Sequence, residues 1–328
     1  KLKKILKLKK FKPIIIVAGE PNSIFIEIFF KALKKKIKSP IILVASYKLL
    51  KLQMKKLKYK KKILTLDYKK LQNYNLDNRS INLININYNV TRAFDKISVK
   101  SNKYIEKSFK IGLDIIKTGI SNKFINGPVS KKSFLKKKYL GITEYISEKF
   151  LSNNTAMLIY NNNLAVSPIT THLPLKFVNK KINKKNIKNK VKLIVDFYKT
   201  FLKLNPRIAI LGLNPHCESI DSFNEDEKII KPVVKELKMI GYKVSGPLSA
   251  DTIFLRENRK KFDVIVGMYH DQVLTPIKTI YEYDAINITL GLPFIRISPD
   301  HGPNEKMLGK NKSNPLSLIK AISFLDKH

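Results

Sequence analysis

Histidine is scarce in this chain, and its copies fall in similar places. There are five, at positions 172, 216, 270, 301 and 328. His172 follows AVSPITT, His216 follows AILGLNP, His270 follows VIVGMY and His301 follows FIRISPD, so each of these four stands just past an apolar run. His328 is the last residue and is set aside. If those runs are strands, the imidazoles collect at strand carboxyl ends, where open α/β sheets bind ligands. Imidazole suits Zn²⁺, Co²⁺ or Fe²⁺, and a set of three leaves a position open for a substrate oxygen. His172, His216 and His270 are therefore candidate metal ligands, although separations of 44 and 54 residues match no compact metal motif. Asp271, directly after His270, and Asp251 are candidates for orienting ligands, holding substrate or taking a proton. A single histidine beside a strand is as readily an ordinary hydrogen-bonded loop residue, and three together weigh against that. Cys217, next to His216, reads as an idle thiol in preference to a ligand.

Other polar residues recur in the same kind of place. Asn214 lies in GLNPH, Lys278 in DQVLTPIK, Asn287 and Thr289 in INITLG, and Arg296 in PFIRIS. An arginine among apolar neighbours usually pairs with a carboxylate or phosphate. A buried hydrogen bond or salt bridge would account for each of them equally well. Thr143, ahead of Glu144 in YLGITEY, suits a helix cap or a ligand contact, and Gly127-Pro128 suits a turn. No strand is followed by G-x-G-x-x-G, and neither a P-loop nor G-x-S-x-G occurs. Spacing alone thus points to a metal-dependent α/β enzyme for a small anionic substrate.

The elements that must position these residues follow from periodicity. Strands are expected at 13–19, 41–46, 63–67, 81–90, 123–130, 263–268, 286–291 and 294–298, with a strand and then a loop over 207–216 and a hairpin over 155–169. Helices are expected at 23–36, 102–118, 185–203, 225–240 and 313–327. Glu225, Asp226 and Glu227 suit the fourth as first-turn acids favoured by the helix dipole. Ser313 is the expected N-cap of the last, with Pro315 in its first turn. Strands alternating with helices predict an α/β fold with a largely parallel, covered sheet. No internal repeat or linker appears; one unit of two interleaved lobes is expected, its metal- and cofactor-rich part roughly 165–328.

The 328 residues, 44% of them hydrophobic, suffice for a sizeable core. No run is long and apolar enough to span a membrane, and KLKKILKLKKFK does not read as a signal peptide. One cysteine excludes an internal disulfide and suits a reducing cytoplasm. The formal charge of +39 raises nucleic acid as a partner. Yet only six basic residues are arginine, and the lysines are spread along the whole chain among Asn and Ile, as in KKINKKNIKNK. That pattern fits AT-rich coding and a generally basic surface better than a base-reading element.

GEPNSIFIEI, INGPVSK, GITEY, TTHLPL, GLNPH, GPLSADT, MYHDQ, NITLGLPFIR and DHG occur in this order. Together they resemble the 4-hydroxythreonine-4-phosphate dehydrogenase family of vitamin B6 biosynthesis, from about residue 14 to the C-terminal helix. The resemblance implies an isocitrate/isopropylmalate dehydrogenase-like fold of two lobes. It also implies a homodimer whose active site lies between lobes and at the subunit interface. The implied reaction is NAD(P)⁺-dependent oxidation of 4-phosphooxy-L-threonine to 2-amino-3-oxo-4-phosphooxybutyrate, which decarboxylates to 3-amino-2-oxopropyl phosphate. A divalent metal (Zn, Co or Mg) is implied on His172, His216 and His270, with substrate on Thr143, Lys278, Asn287 and Arg296. The implied dinucleotide segment runs from Asp300 to about Asn314 and includes His301, Gly302 and Asn304.

The chain departs from that family at several points. Ile142 and Ser130 replace histidines, Asn22, Ser23 and Phe25 stand in a glycine-rich motif, and HGPNEKMLGKNKSN lacks the small residues usual after D-H-G. Pro303 removes a backbone donor. Weaker substrate or cofactor binding is expected. Two alternatives remain open: a related dehydrogenase for another phosphorylated or carboxylated 2-hydroxy compound, and a basic nucleic-acid-binding protein.

Overall fold

The structure, a computed structural model, describes residues 11–135, 139, 141–152, 154–220, 222–299 and 301–328. Of the sequence-based expectations, Asp300 and most of the basic opening segment lie outside the described residues. The strands are β1 (Ile14–Val17), β2 (Ile41–Ala45), β3 (Ile63–Thr65), β4 (Ile81–Asn85), β5 (Lys123–Asn126) and β6 (Ala156–Asn161), followed by β7 (Leu164–Thr170), β8 (Ile208–Leu211), β9 (Val244–Leu248), β10 (Val264–Tyr269), β11 (Ile286–Leu290) and β12 (Ile295–Pro299). Helices of eight residues or more are α1 (Phe25–Ala32), α2 (Tyr47–Lys56), α3 (Asn102–Lys117), α4 (Ile142–Lys149), α5 (Lys184–Phe197), α6 (Lys231–Met239), α7 (His270–Tyr281) and α8 (Leu316–Lys327).

The chain forms two compact units. The first takes residues 1–146 and 293–328 and orders its strands β3-β4-β2-β1-β5-β12, all parallel. β1 is a run of four β-branched residues, Ile-Ile-Ile-Val, with no exposed surface. Such a run has no polar side to turn outward, so it fits only a strand covered on both faces. Burial of each such side chain stabilises the unit by about 1.5–3 kcal/mol. Gly127, just after β5, lets two loops meet: a Cβ there would overlap the Ala18 carbonyl oxygen.

The second unit, residues 147–292, orders its strands β11-β6-β7-β10-β8-β9. β6 is antiparallel to both neighbours, whereas β7, β10, β8 and β9 run parallel. The expected hairpin is β6–β7, closed by Asn162 and Asn163. Its core joins Ile159, Val166, Ala209 and Ile265 from the strands to Val273 and Ile277 of α7. The α7 residues lie four apart, on one helical face.

Several expectations need correction. The helix expected at 23–36 is α1, which stops at Ala32, and the strand expected at 81–90 stops at Asn85. Ser313 does not cap the last helix: its N–H reaches Glu27, while the Asn314 side chain accepts from Leu316 N–H. β9, α2 and α7 were not expected; α7 begins just after the expected 263–268 strand, where the sequence reads as a turn. Asp226 and Glu227 do stand in the first turn of the helical stretch that begins at Asp226, as expected, and the Asp226 side chain is in addition fully buried and bonded to a loop.

Candidate active site

In the second unit, strand register brings the histidines together. β10 lies between β7 and β8, all parallel, and Tyr269 is the register partner of Thr170. Thr170 Oγ1 also donates to the Met268 carbonyl at 2.8 Å, tying the two strand ends. His270 is one residue beyond this row and His172 two, so their rings meet with centroids 5.6 Å apart. His216 leaves the end of β8, on the other side of β10, and Asp251 leaves the end of β9. Four adjacent parallel strands thus release His172, His270, His216 and Asp251 at one edge.

The backbone is bent for these side chains. His172 (φ 45°), His216 (φ 53°) and Cys217 (φ 63°) are left-handed without being glycine. Each such conformation costs about 1–3 kcal/mol unless its surroundings fix it, and such residues cluster at functional sites. For His216 the fixing group is Asp226. Its carboxylate accepts from Leu213 N–H (2.7 Å), Asn214 N–H (3.1 Å) and Asn214 Nδ2 (2.9 Å). Gly212 is required there, since a Cβ would lie 2.7 Å from both Asp226 Oδ1 and Cys217 Sγ. Gln272 ties this loop to β10: Oε1 accepts from Met268 N–H at 2.7 Å and Nε2 donates to the Gly212 carbonyl at 2.8 Å. Neither Asp226 nor Gln272 was assigned a site role from sequence. Both act across the fold, and no local spacing signals that.

His270 Nδ1 lies 2.7 Å from Asp271 Oδ1. A proton on Nδ1 donated to that carboxylate leaves the Nε2 lone pair for a ligand. Asp251 Oδ2 lies 3.9 Å from His216 Nδ1, too far for a hydrogen bond. The Ser249 hydroxyl, at 2.6 Å, and the nearby His216 hold the Asp251 carboxyl below its ordinary range. Burial pushes the Cys217 thiol up, and the neighbouring Asp226 adds to this.

A metal–nitrogen bond of about 2.0–2.1 Å puts two ligating ring centroids roughly 5 Å apart, and the His172–His270 separation is near that value. His216 is not drawn into that pair: among the described residues no three His, Cys, Asp or Glu side chains are grouped closely enough to hold a metal. Asn287 stands apart as well. Through Ile159 and Val166 it lies in the row of Ile265, four residues short of the Thr170–Tyr269 row. Four residues of strand are about 13 Å. Thr289 lies on the same face of β11, two residues nearer its end, and is buried. Lys278 shares the Asp271 face of α7, two turns or about 10 Å along the axis.

In the first unit the centre is Arg296, 1% exposed on β12. Its guanidinium donates to Asn126 Oδ1 (2.8 Å), Thr143 Oγ1 (2.7 Å) and Ser298 Oγ (2.6 Å). Burial pulls it down to about 10, with Glu144 opposing that shift. Thr143 lies in the first turn of α4, so the arginine fixes the start of that helix. Asn126 and Ser298 were not singled out from sequence, although Asn126 ends a strand as the histidines do. Ser130, at a position where a histidine was expected, accepts from Ser133 N–H and serves as a turn cap. In the proposed dinucleotide segment Asn304 is left-handed (φ 50°), and a Cβ on Gly302 would meet nothing within 4 Å. The Pro303 carbonyl accepts from Ile24 N–H at 3.1 Å.

Residues 36–325 match the model of the pyridoxal phosphate biosynthetic protein PdxA. The chain belongs to the PdxA family. A relative from Sulfurihydrogenibium sp. (strain YO3AOP1), named 4-hydroxythreonine-4-phosphate dehydrogenase, is 39% identical over 323 residues, covering 94% of this chain and 96% of its own. The crystal structure of 4-hydroxythreonine-4-phosphate dehydrogenase from Klebsiella pneumoniae superposes with a TM-score of 0.84 at 26% identity, over 96% of this chain and 97% of that one. Isocitrate dehydrogenase from Methylococcus capsulatus, at 9% identity, TM-score 0.52 and coverage of 97% and 86%, shares the fold. The PdxA fold is thus the isocitrate dehydrogenase-like α/β fold. Among the described residues no helix is long and apolar enough to cross a membrane.

Proposed function

We propose that this PdxA-family chain oxidises 4-phosphooxy-L-threonine with NAD(P)⁺ and a divalent metal in vitamin B6 biosynthesis, as a homodimer in a reducing cytoplasm. The product, 2-amino-3-oxo-4-phosphooxybutyrate, then loses CO₂ to give 3-amino-2-oxopropyl phosphate. The observation that carries this reading is the release of His172, His270 and His216 from three adjacent parallel strands.

His172 and His270 are the ligand pair for Zn, Co or Mg, and His216, which stands apart from that pair in this structure, would complete the set only if the 212–217 loop brings it in. When bound, the metal lowers the pKa of the substrate hydroxyl and the nicotinamide accepts the hydride. Asp271 orients His270 through one carboxylate oxygen and offers the other to the hydroxyl proton. Asp251 is the weaker base of the two roles considered for it, because its carboxyl is held low, and it suits orienting His216. Arg296 acts through Thr143, Asn126 and Ser298, which it holds, and Thr143, Lys278 and Asn287 are the side chains proposed to touch substrate. His301, Gly302 and Asn304 receive the dinucleotide.

The test is the absorbance of reduced nicotinamide formed by purified protein with phosphooxythreonine, NAD⁺ and Zn²⁺, with and without chelator. Chelator-sensitive reduction, lost in His270→Ala, is expected. Full activity in metal-stripped protein overturns the metal role. Ile142, which opens α4 beside Thr143 where the family carries a histidine, favours a second reading, a related phosphorylated or carboxylated 2-hydroxy substrate. A substrate panel separates the two: turnover of phosphooxythreonine alone removes the second.

A further inference from the structure

Segment 301–314 is fastened to α1 and the loop before it, and the hydrogen bonds that do so reach its main chain. Glu27 Oε1 accepts from Ser313 N–H at 2.7 Å. Lys31 Nζ donates to the carbonyls of Asn311 (3.0 Å) and Ser313 (2.8 Å). The same ammonium meets Glu27 Oε1 at 2.9 Å, one turn away on the helix. The Glu side chain is 1% exposed and the Lys side chain 24%. Nearer its start, the segment receives Ile24 N–H at the Pro303 carbonyl. Between these ties Gly309 (φ 70°) packs so closely on Phe94 that a Cβ would sit 3.1 Å from the ring.

A buried carboxyl–ammonium pair rarely stabilises a fold more than apolar side chains of the same size would. Its effect here is positional, because two polar atoms of one helix face make three hydrogen bonds to a segment 280 or more residues away in the sequence. Main-chain atoms are present whatever the side chains. This accounts for how HGPNEKMLGKNKSN keeps its place although its side chains depart from the family's pattern.

We propose that Glu27 and Lys31 are positioning residues for the dinucleotide, holding segment 301–314 in the form that receives it. This rests on the reading of that segment as the dinucleotide loop. Neither residue touches the reacting atoms.

Lys31→Met keeps the stem and helix propensity and removes the ammonium; Glu27→Gln keeps an acceptor for Ser313 N–H. Titration with NAD⁺ and hydrogen exchange of segment 301–314 are measured on the whole protein, together with steady-state kinetics. Lys31→Met is expected to raise Kd and KM for NAD⁺ about tenfold, with kcat within about twofold. Amides at 309–314 are expected to exchange faster while those of α3 do not change. Glu27→Gln gives the same pattern at smaller size and decides the matter if Lys31→Met does not fold. Faster exchange with unchanged Kd overturns the proposal, as does unchanged exchange. If the unaltered protein binds neither NAD⁺ nor NADP⁺, the proposed function fails with it, an outcome recognisable because the wild type itself is silent.

Discussion

Arg296 shows how much one side chain can organise. A lysine in its place offers a single ammonium where three directional donors now meet Asn126, Thr143 and Ser298. Arg296→Lys is expected to leave at least one acceptor unpaired, at about 1–3 kcal/mol. Thermal unfolding would show the lower Tm, and kinetics a raised KM because Thr143 loses its anchor. An unchanged Tm would mean that the lysine satisfies all three acceptors. Glu20 gives a pH-dependent case. It is 1% exposed; burial raises its pKa above 4.5, bonds from Asn22 N–H and Ser101 oppose this, and nearby Glu305 adds to it. A carboxyl with a raised folded pKa contributes stability that is fully present below 4.5 and is lost as pH rises through the folded value. Glu20→Gln stays neutral throughout. The Tm of Glu20→Gln minus that of wild type is therefore expected to grow from below pH 4.5 toward neutrality, and a flat difference would refute the assignment.

The histidines act through the loops that carry them. The 212–217 loop has two left-handed non-glycine residues and is held by the buried Asp226 and by Gln272. Asp226→Ala removes the acceptor of three donors, so His216 should lose its fixed place while His172 and His270 keep theirs. Affinity for Zn²⁺ or Co²⁺ is expected to fall about 10–100-fold, the usual size for groups that position ligands. Calorimetric titration with each ion is the check; unchanged affinity would remove His216 from the ligand set. This division also explains what could be read from sequence. β1, β2, β8 and most of β10 were legible because burial on both faces leaves a nearly uninterrupted apolar run, whereas β5 and β7 carry buried polar residues within or beside their apolar cores. β9 was missed because Gly246-Pro247 reads as a turn, and β4 was overextended because alternating Ile and Asn mimics a strand past Asn85. The histidines were legible from their rarity and their place after strands. Their supports were not, since Asp226 and Gln272 act on residues 12 and 60 positions away. Asn126 meets Arg296 across 170.

At the scale of the molecule the dominant quantity is +39. Such a charge makes some affinity for polyanions unavoidable, so binding of RNA at low salt decides nothing about function. What decides is how the charge is arranged. The described ion pairs are few and mostly exposed, and such pairs contribute little. One strongly basic surface is a cavity of about 970 Å³ at α2, lined by Lys48, Lys51, Lys55, Lys60, Lys61 and Lys62. Tyr59 also lines it, but its ring is stacked on Phe30 at 4.2 Å, so one face is already occupied. Six ammonium groups that each neutralise one phosphate would give a log–log salt slope of about −4 on a single strand. Retention of poly(U) is therefore expected at low salt and is expected to be lost by physiological salt, without base preference. Lys51→Glu with Lys55→Glu should flatten that slope and leave substrate turnover unchanged, because neither residue belongs to the histidine edge or to the Arg296 centre. Binding that survives physiological salt with a sequence preference would show that the charge is a recognition surface. A parallel loss of turnover would tie α2 to catalysis, which no contact described among these residues provides.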